Sequence, residues 1–527
     1  VGAIDNSTGT LVSNGDTSIT AGSFANQGGS TQAAGTANLD LKVSTGLDNS
    51  KRGTIGAGGN VTVTAGSLNN DIGSVTAVGD LKATIDKAAT NAGGMLAANG
   101  NTSLAADTLD NSGGTIGAVK GDLSVTTTGK TINDAGALQA GGKATLSNGG
   151  LSNQGGKVFG NSLSIDTHGN ALDNSKKGTL SATTTVDIKS GGLNNDGGLI
   201  QSVGAMTIDT DGKKLTNTHA ADYTTKQGGI ASADTLVLKT GEVDNTDGYI
   251  GARKTLSIDT HGQGYDNSSG QTVAASDLSI SAAALTNASG LIRSAATTTI
   301  NASSIANNDT SGTDQGIEGK SVVIDTGDLN NTSGAIRADA DTTITASGTL
   351  TNTKGLISAG NELSIRDPNR ADPGARTLNV VNTGGTLVAD KSLKLDAARF
   401  SGDGKAVSGK DLSIALTQDI VNNGEVAANG NLSYTTAGNF TNNGKLLAGQ
   451  TLTVGGNNIE NTANAEMSGT NTTVNASGTL TNRGLIDSKG QTQINADTLK
   501  NIGTGRIYGD AISIGAITVE NGAETIT

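Results

Sequence analysis

Short runs of alternating apolar and polar residues recur from one end of the chain to the other. Residues 61–64 read VTVT, 163–166 LSID, 278–281 LSIS and 412–415 LSIA. Strict alternation over four or five residues is the period of a β-strand, whose successive side chains point to opposite faces. No window carries apolar residues at helical spacing over three turns. Two other apolar pieces accompany each run. One is Leu-x-Asn. The other is Gly-x-Ile/Leu-x-Ala/Ser, as in GTIGA (53–57), GLIQS (198–202) and GAIRA (334–338). Gly, Asn and Asp separate the pieces, as turn chemistry requires.

The Asn of Leu-x-Asn serves as a ruler. It falls at Asn49, Asn70, Asn111, Asn153, Asn174, Asn195, Asn287, Asn352, Asn442 and Asn482, among others, and most steps are 19 to 24 residues. A fixed period of this size denotes a solenoid. Three short strands per period predict an all-β fold, a parallel β-helix of about 25 coils with roughly 20 residues each, forming a rod about 120 Å long. Each strand is expected to pair with its equivalents one coil up and one coil down, stacking like on like inside. The Asn has the same parity as the inward Leu, so it is expected at an inner corner, in a ladder of stacked amides.

The period stretches in two places. An excess at 218–229 predicts a loop containing His219, Tyr223 and Lys226. A second, at 366–376, predicts an exposed loop containing Arg366, Pro368, Arg370, Pro373 and Arg376, and holds both prolines of the chain. Proline suits a loop or an edge and not a central strand. Between Asn382 and Asn422 one Leu-x-Asn is missing, and Phe400 stands in the place of its Leu. The expected organisation is a regular β-helix over 1–365, irregular transition coils over 366–405, and a continuing β-helix over 406–527.

Composition narrows the chemistry. Aromatics are 2% and Trp is absent, so the core must be thin and built from Leu, Ile, Val and Ala. Charged residues are only 16% and the apolar ones are regularly placed, which argues against disorder. A net charge of −13 without a basic run disfavours nucleic acid and anionic membranes. No apolar stretch is long enough to span a bilayer. The absence of Cys fits any compartment, and suits a chain that crosses an oxidising space unfolded. The chain starts at Val1 and opens and closes in mid-pattern, as an internal piece of a longer protein would.

No constellation points to catalysis. His168 and His261 sit in the same phrase, IDTHG, which reads as a turn, and no His pair has metal-ligand spacing. Phosphate-binding, zinc-protease, serine-hydrolase and calcium-nonapeptide motifs are missing. Acidic residues are scattered rather than paired, and no outward groove lined by aromatics for sugar stacking is expected. A flat Thr array of the ice-binding kind fails because equivalent places hold Lys42, Asp166, Ser279 and Lys394. The expectation is a non-enzyme without cofactor or metal.

The units LDNSGGTIGA, LNNDGGLIQS and LTNRGLIDS resemble the haemagglutinin repeats of the filamentous haemagglutinin family, over essentially the whole chain. The most specific phrase is LKNIGTGRIYGDAISI (499–514), similar to the end of a repeat block in such proteins. These are large exoproteins of two-partner secretion, among them adhesins and contact-dependent growth inhibition effectors. The resemblance implies a right-handed β-helix, export by an outer-membrane β-barrel transporter, and tethering at a Gram-negative cell surface. It also implies a target-cell receptor bound outside this segment. Two other functions stay open: an adhesin whose own lateral surface binds host cells or glycans, and an autotransporter passenger.

Overall fold

The computed structural model describes residues 2–220 and 228–523. Among them the regular structure is parallel β-strand, with one short 3-10 turn at Pro373–Ala375 and no α-helix. The chain divides into two units. The first is Val1–Asp266 with Gly270–Ala274, and the second is Asn267–Ser269 with Ala275–Thr527. Each unit is a stack of coils of about 20 residues, a parallel β-solenoid.

One coil of the first unit shows the plan. An alternating strand, Leu81–Ile85, leads to a short strand, Ala88–Thr90, which carries the chain to the Asn corner. After the corner comes a third strand, Met95–Ala98. The first strand lies between its equivalents, with Leu81 opposite Val61 and Thr102. The third does the same, with Leu96 opposite Val75 and Ile116. First and second strands share one parallel sheet and third strands form another. In some coils the first two run on without a break, as in Leu39–Asp48 and Val61–Asn69. The second unit repeats the plan, with continuous strands at Leu278–Thr286, Thr297–Ala306 and Ser321–Asn330.

The core consists of columns. Ile55, Val75, Leu96, Ile116, Leu138 and Val158 follow one another along the third strands, and none is more than 2% exposed. A single coil has too few inward side chains to bury its own face, so coils are stable only as neighbours. The column before the Asn is less uniform than Leu-x-Asn suggested. Ala89, Thr131, Val243 and Tyr265 occupy it in places, all buried. At Thr131 the smaller polar side chain is matched by Asn148, whose Nδ2 donates to Thr131 Oγ1 at 2.8 Å and Thr127 Oγ1 at 3.1 Å. Tyr434 and Phe440 pack edge to face with centroids 4.9 Å apart, so an aromatic pair fits the coil interior where neighbours make room. Phe400 does stand in a Leu place, opposite Val380 and 8% exposed.

Two backbone demands recur at the Asn corner. From Asn6 to Asn382 the second residue past the Asn is left-handed, whatever its type: Ile72 has φ 58°. For a β-branched residue this costs about 1–2 kcal/mol. In most coils the third residue past the Asn is Gly, because the corner is crowded there. A Cβ on Gly114 would lie 2.0 Å from Asn91 O and 2.7 Å from Asn111 Oδ1.

The two demands predict opposite outcomes for neighbouring substitutions. Ile72→Asn, at a side chain 61% exposed, is expected to stabilise its coil by up to about 1 kcal/mol, since Asn tolerates the left-handed region. Gly114→Ala is expected to destabilise by about 1–3 kcal/mol. Amide hydrogen exchange of the affected coils measures both; protection that falls in Ile72→Asn, or holds in Gly114→Ala, contradicts this account of the corner.

Candidate functional site: the asparagine corner, the insertions and an outer groove

The corner Asn side chains form a ladder that is continuous in the first unit and interrupted once in the second. In the first unit Asn49 Nδ2 donates to Asn70 Oδ1 at 2.7 Å, Asn70 to Asn91 at 2.6 Å, and Asn91 to Asn111 at 2.7 Å. The series continues through Asn133, Asn153, Asn174, Asn195 and Asn217, each step 2.7–2.8 Å. The other amide hydrogen reaches backbone carbonyls: Asn49 Nδ2 lies 3.1 Å from Gly53 O and 3.1 Å from Ser74 O. These carboxamides are fully buried and their donors and acceptors are matched. In the second unit Asn287 donates toward Asn307 and Asn331 toward Asn352, which donates to Asn382 at 2.8 Å. There the ladder stops. Gly402, at φ 108°, holds the next Asn place, and Asn382 keeps its carbonyl contact alone, donating to Lys405 O at 3.0 Å as Asn352 does to Thr386 O. The ladder resumes at Asn422 and runs through Asn442, Asn461 and Asn482.

A second, outer ladder escaped the reading of the sequence. Before the alternating strands of the first unit, Asn38 N donates to Asp16 Oδ1, Asn60 N to Asn38 Oδ1, Asp80 N to Asn60 Oδ1 and Asn101 N to Asp80 Oδ1, at 2.7–2.8 Å. In the second unit Asn431 N donates to Asp411 Oδ1 at 2.9 Å in the same place, and a like pairing precedes the short corner strands, with Asn439 N donating to Asp419 Oδ1 at 2.7 Å and Thr479 N to Asn458 Oδ1 at 2.9 Å. The signal was available: Asp16, Asn38, Asn60, Asp80 and Asn101 keep the same 20–22-residue step as the inner Asn.

The insertions are better anchored than expected. His219 opens the first, left-handed at φ 57° and exposed, with Nδ1 2.5 Å from an Asp196 carboxylate oxygen. Tyr223 and Lys226 lie outside the described residues. In the second insertion Pro368, Arg370 and Pro373 are exposed. Arg366 is instead the last residue of the strand Glu362–Arg366, half-buried, with Nε donating to Thr345 Oγ1 at 3.1 Å. Arg376 turns inward: its side chain is only 9% exposed, and Nη1 donates to Ala415 O at 3.0 Å. The unforeseen residue is Asp367. It is fully buried and accepts from the backbone N–H of Asn369, Thr377 and Leu378 at 2.6–2.8 Å, closing the base of the loop. An Asp directly before Pro in a strand-to-loop junction was its only mark in the sequence. Strand pairing continues past the insertion, with Leu363 opposite Leu393 and Leu393 opposite Leu412.

His168 and His261 are left-handed turn residues, each at φ 49°. Among the described residues no three His, Cys, Asp or Glu side chains are grouped to hold a metal ion, and no helix is long and apolar enough to cross a membrane. One expectation is corrected: an outward groove with aromatics does exist. It lies on the third-strand sheet of the first unit, measures about 510 Å³, and includes Phe159 and Tyr249 in its lining. These residues are 90 positions apart, so only the coil register brings them to one surface.

The family model described as haemagglutinin repeat matches residues 1–40, 32–89, 83–130, 118–158, 158–218, 214–263, 253–353, 314–367, 369–424 and 427–523. No curated protein and no solved structure matches the chain.

Two measurements test these contacts. Asn111→Ala leaves Asn91 without its acceptor and Asn133 without its donor, and is expected to cost about 1–3 kcal/mol; Asn111→Ala with unchanged protection in the adjoining coils would show the ladder to be ornamental. The His219 pKa is raised above its ordinary 6.5, first by the hydrogen bond to Asp196 and then by its charge. Asp196 is lowered by bonds from Thr218 and His219. The stabilisation from His219 is therefore complete below pH 6.5 and lost as pH rises through the raised value. That from Asp196 is present above 3.8 and lost as pH falls through the lowered value. An NMR titration should place His219 above 6.5 in the native chain and return it to the ordinary range in Asp196→Asn.

Proposed function

Because the chain belongs to the haemagglutinin-repeat family, whose members are secreted or cell-surface adhesins, we propose that it is the stalk of an exoprotein that projects a distal receptor-binding region from a Gram-negative cell. The setting is adhesion or contact-dependent growth inhibition. A two-partner secretion β-barrel transporter in the outer membrane exports the parent chain, which stays tethered at the surface.

The observation that carries this reading is the one-way ladder of buried Asn, in which Asn49 donates to Asn70 and Asn70 to Asn91. Each coil leaves its corner amide N–H to be satisfied by the coil that follows. Contacts are therefore local, between nearest neighbours along the chain. A chain emerging through a pore can add coils one at a time. Each new coil finds a formed template, and the folded coils oppose backward sliding without a nucleotide-driven step. In this reading residues 366–405 are transition coils between two stretches of the stalk, a place supported by the ladder's interruption at Gly402.

A stalk tolerates loss of length but not loss of register. Deleting residues 71–111 removes two whole coils and rejoins Asn70 to the corner sequence after Asn111. The expected outcome is normal export and β-sheet circular dichroism, with a shorter reach. Deleting 71–121 also removes the following third strand, and is expected to disrupt folding and export. If the whole-coil deletion abolishes binding of the parent protein to its target cell while surface display is intact, the segment itself carries the receptor site and the stalk reading fails.

A further inference from the structure

Asn followed directly by Gly occurs seven times, at Asn14, Asn99, Asn148, Asn423, Asn429, Asn443 and Asn521. The pair is chemically fragile. The Gly nitrogen can attack the carboxamide carbon of the Asn before it, and Gly has no Cβ to stand in the way. The attack needs a backbone N–H that can lose its proton. The solenoid denies that condition at most of the seven. Gly15 N donates to Ser13 Oγ, Gly100 N to Gly79 O, Gly149 N to Gly129 O and Gly430 N to Lys410 O. Gly522 ends a strand in register with Ile502. Among the described pairs that lie in turns, Gly424 and Gly444 alone have a backbone N–H without a protein acceptor. Asn423 and Asn443, which precede them, are exposed.

Both pairs sit at the Asn corner, just past the break at Gly402. There the crowded Gly stands two places after the ladder Asn: Asn422-Asn423-Gly424 and Asn442-Asn443-Gly444. A Cβ on Gly424 would lie 2.0 Å from Gly404 O, and one on Gly444 2.0 Å from Gly424 O, so the fold holds Gly in both places. It does not hold the Asn before it, since Arg483 takes that place in the corner Asn482-Arg483-Gly484. The two exposed side chains also touch. Asn443 Nδ2 donates to Asn423 Oδ1 at 2.8 Å. A hydrogen bond to the carbonyl oxygen draws electrons from the carboxamide carbon, so Asn423 is the more electrophilic of the two.

We propose that Asn423 and Asn443 are sites of spontaneous deamidation, which weakens this stretch of the solenoid as the chain ages. Gly424 N loses its proton to water and attacks Asn423 Cγ. A C–N bond forms, the Cγ–Nδ2 bond breaks and ammonia leaves. Water then opens the cyclic imide at either carbonyl, giving Asp or isoaspartate. The balance is one water consumed and one ammonia released, with no change of oxidation state. Gly444 and Asn443 react in the same way. Two effects follow. Each conversion adds a negative charge, and the two charges lie one coil step of ~4.8 Å apart, where like charges destabilise neighbouring strands. Isoaspartate also carries the backbone through an extra methylene. That shifts the chain beside Asn422, whose amide donates to Asn442 at 2.8 Å. The proposal is independent of the stalk reading.

The test is to incubate the full chain at mildly alkaline pH and follow each Asn-Gly pair by peptide mass spectrometry and enzymatic methyl labelling of isoaspartate. The expected result is that Asn423 converts first and Asn443 next, both about tenfold or more faster than Asn99 and Asn429, whose Gly N–H groups are bonded. Asn443→Ala removes the donor to Asn423 Oδ1 and should slow conversion of Asn423 severalfold. Hydrogen exchange of the aged chain should show lower protection across residues 420–445. The double variant Asn423→Arg with Asn443→Arg, patterned on Arg483, should keep its protection after the same incubation. Conversion at Asn423 and Asn443 no faster than at Asn99 and Asn429 overturns the proposal. So does a rate at Asn423 that Asn443→Ala leaves unchanged, or an equal loss of protection in the double variant.

Discussion

A buried carboxamide has to find partners for both of its N–H groups and for its carbonyl oxygen, and the rest of this structure follows from that requirement. Each corner Asn is shut away from water. The cost of leaving such a group unpaired, about 1–3 kcal/mol, is a large fraction of what a domain has to spend. Only another amide one coil away, at the strand spacing, supplies donor and acceptor together. Stacking the amides sets the register of every coil on the next. Register in turn aligns Ile55 with Val75 and Leu96, and so makes the core columns. The crowding around the amide excludes a Cβ at Gly114. The repeated phrase of Leu, Asn and Gly is thus one geometric condition written once per coil.

The ladder has a direction. Nδ2 of one coil donates to Oδ1 of the next, from Asn6 to Asn26 and onward. The outer Asx ladder runs the other way, with Asn60 N donating back to Asn38 Oδ1. Each coil is therefore tied to the preceding one by its backbone and to the following one by its corner side chain. The break at Gly402 removes one of the two ties. Nearby, the second insertion ties coils across a longer reach: Thr377 Oγ1 donates back to Ser347 O at 2.6 Å, and Arg376 reaches forward to Ala415 O. Neither contact uses the repeating device.

Strand parity, the inward Asn and the Phe400 substitution were legible because each is a property of residues close in sequence. Alternation in 61–64 puts Val61 and Val63 inside whatever lies above them, and both are buried. What was missed depends on residues one or more coils apart. Asp16 and Asn38 are ordinary turn residues until the coil spacing sets one over the other. Arg376 looks like any loop cation, and its side chain is buried only because the coil carrying Ala415 lies beneath it. Thr131 and Asn148 each look polar and exterior, yet they fill one gap in the core together. Phe159 alternates outward as its parity demands, but its relation to Tyr249 needs five coils in register. A single sequence gives the coil plainly and the column only where the same residue type repeats.

The central claim is that the Asn ladder, and not the apolar columns alone, holds one coil on the next. On the third-strand sheet the apolar column runs through the gap, from Leu387 to Ala406 and Val426, whereas on the other sheet Phe400 lies opposite Val380 of the coil before. The Asn ladder is broken there, and the strand Arg399–Ser401 has register pairing with the coil before it while Ile420–Asn422 pairs with the coil after. Native-state hydrogen exchange, resolved coil by coil across residues 350–460, reads what the break costs. The account predicts that the coils adjoining Gly402 open at lower free energy than the unbroken coils on either side, by about 1–3 kcal/mol. Uniform protection across Gly402 would contradict it and leave the apolar columns as the element that sets coil stability.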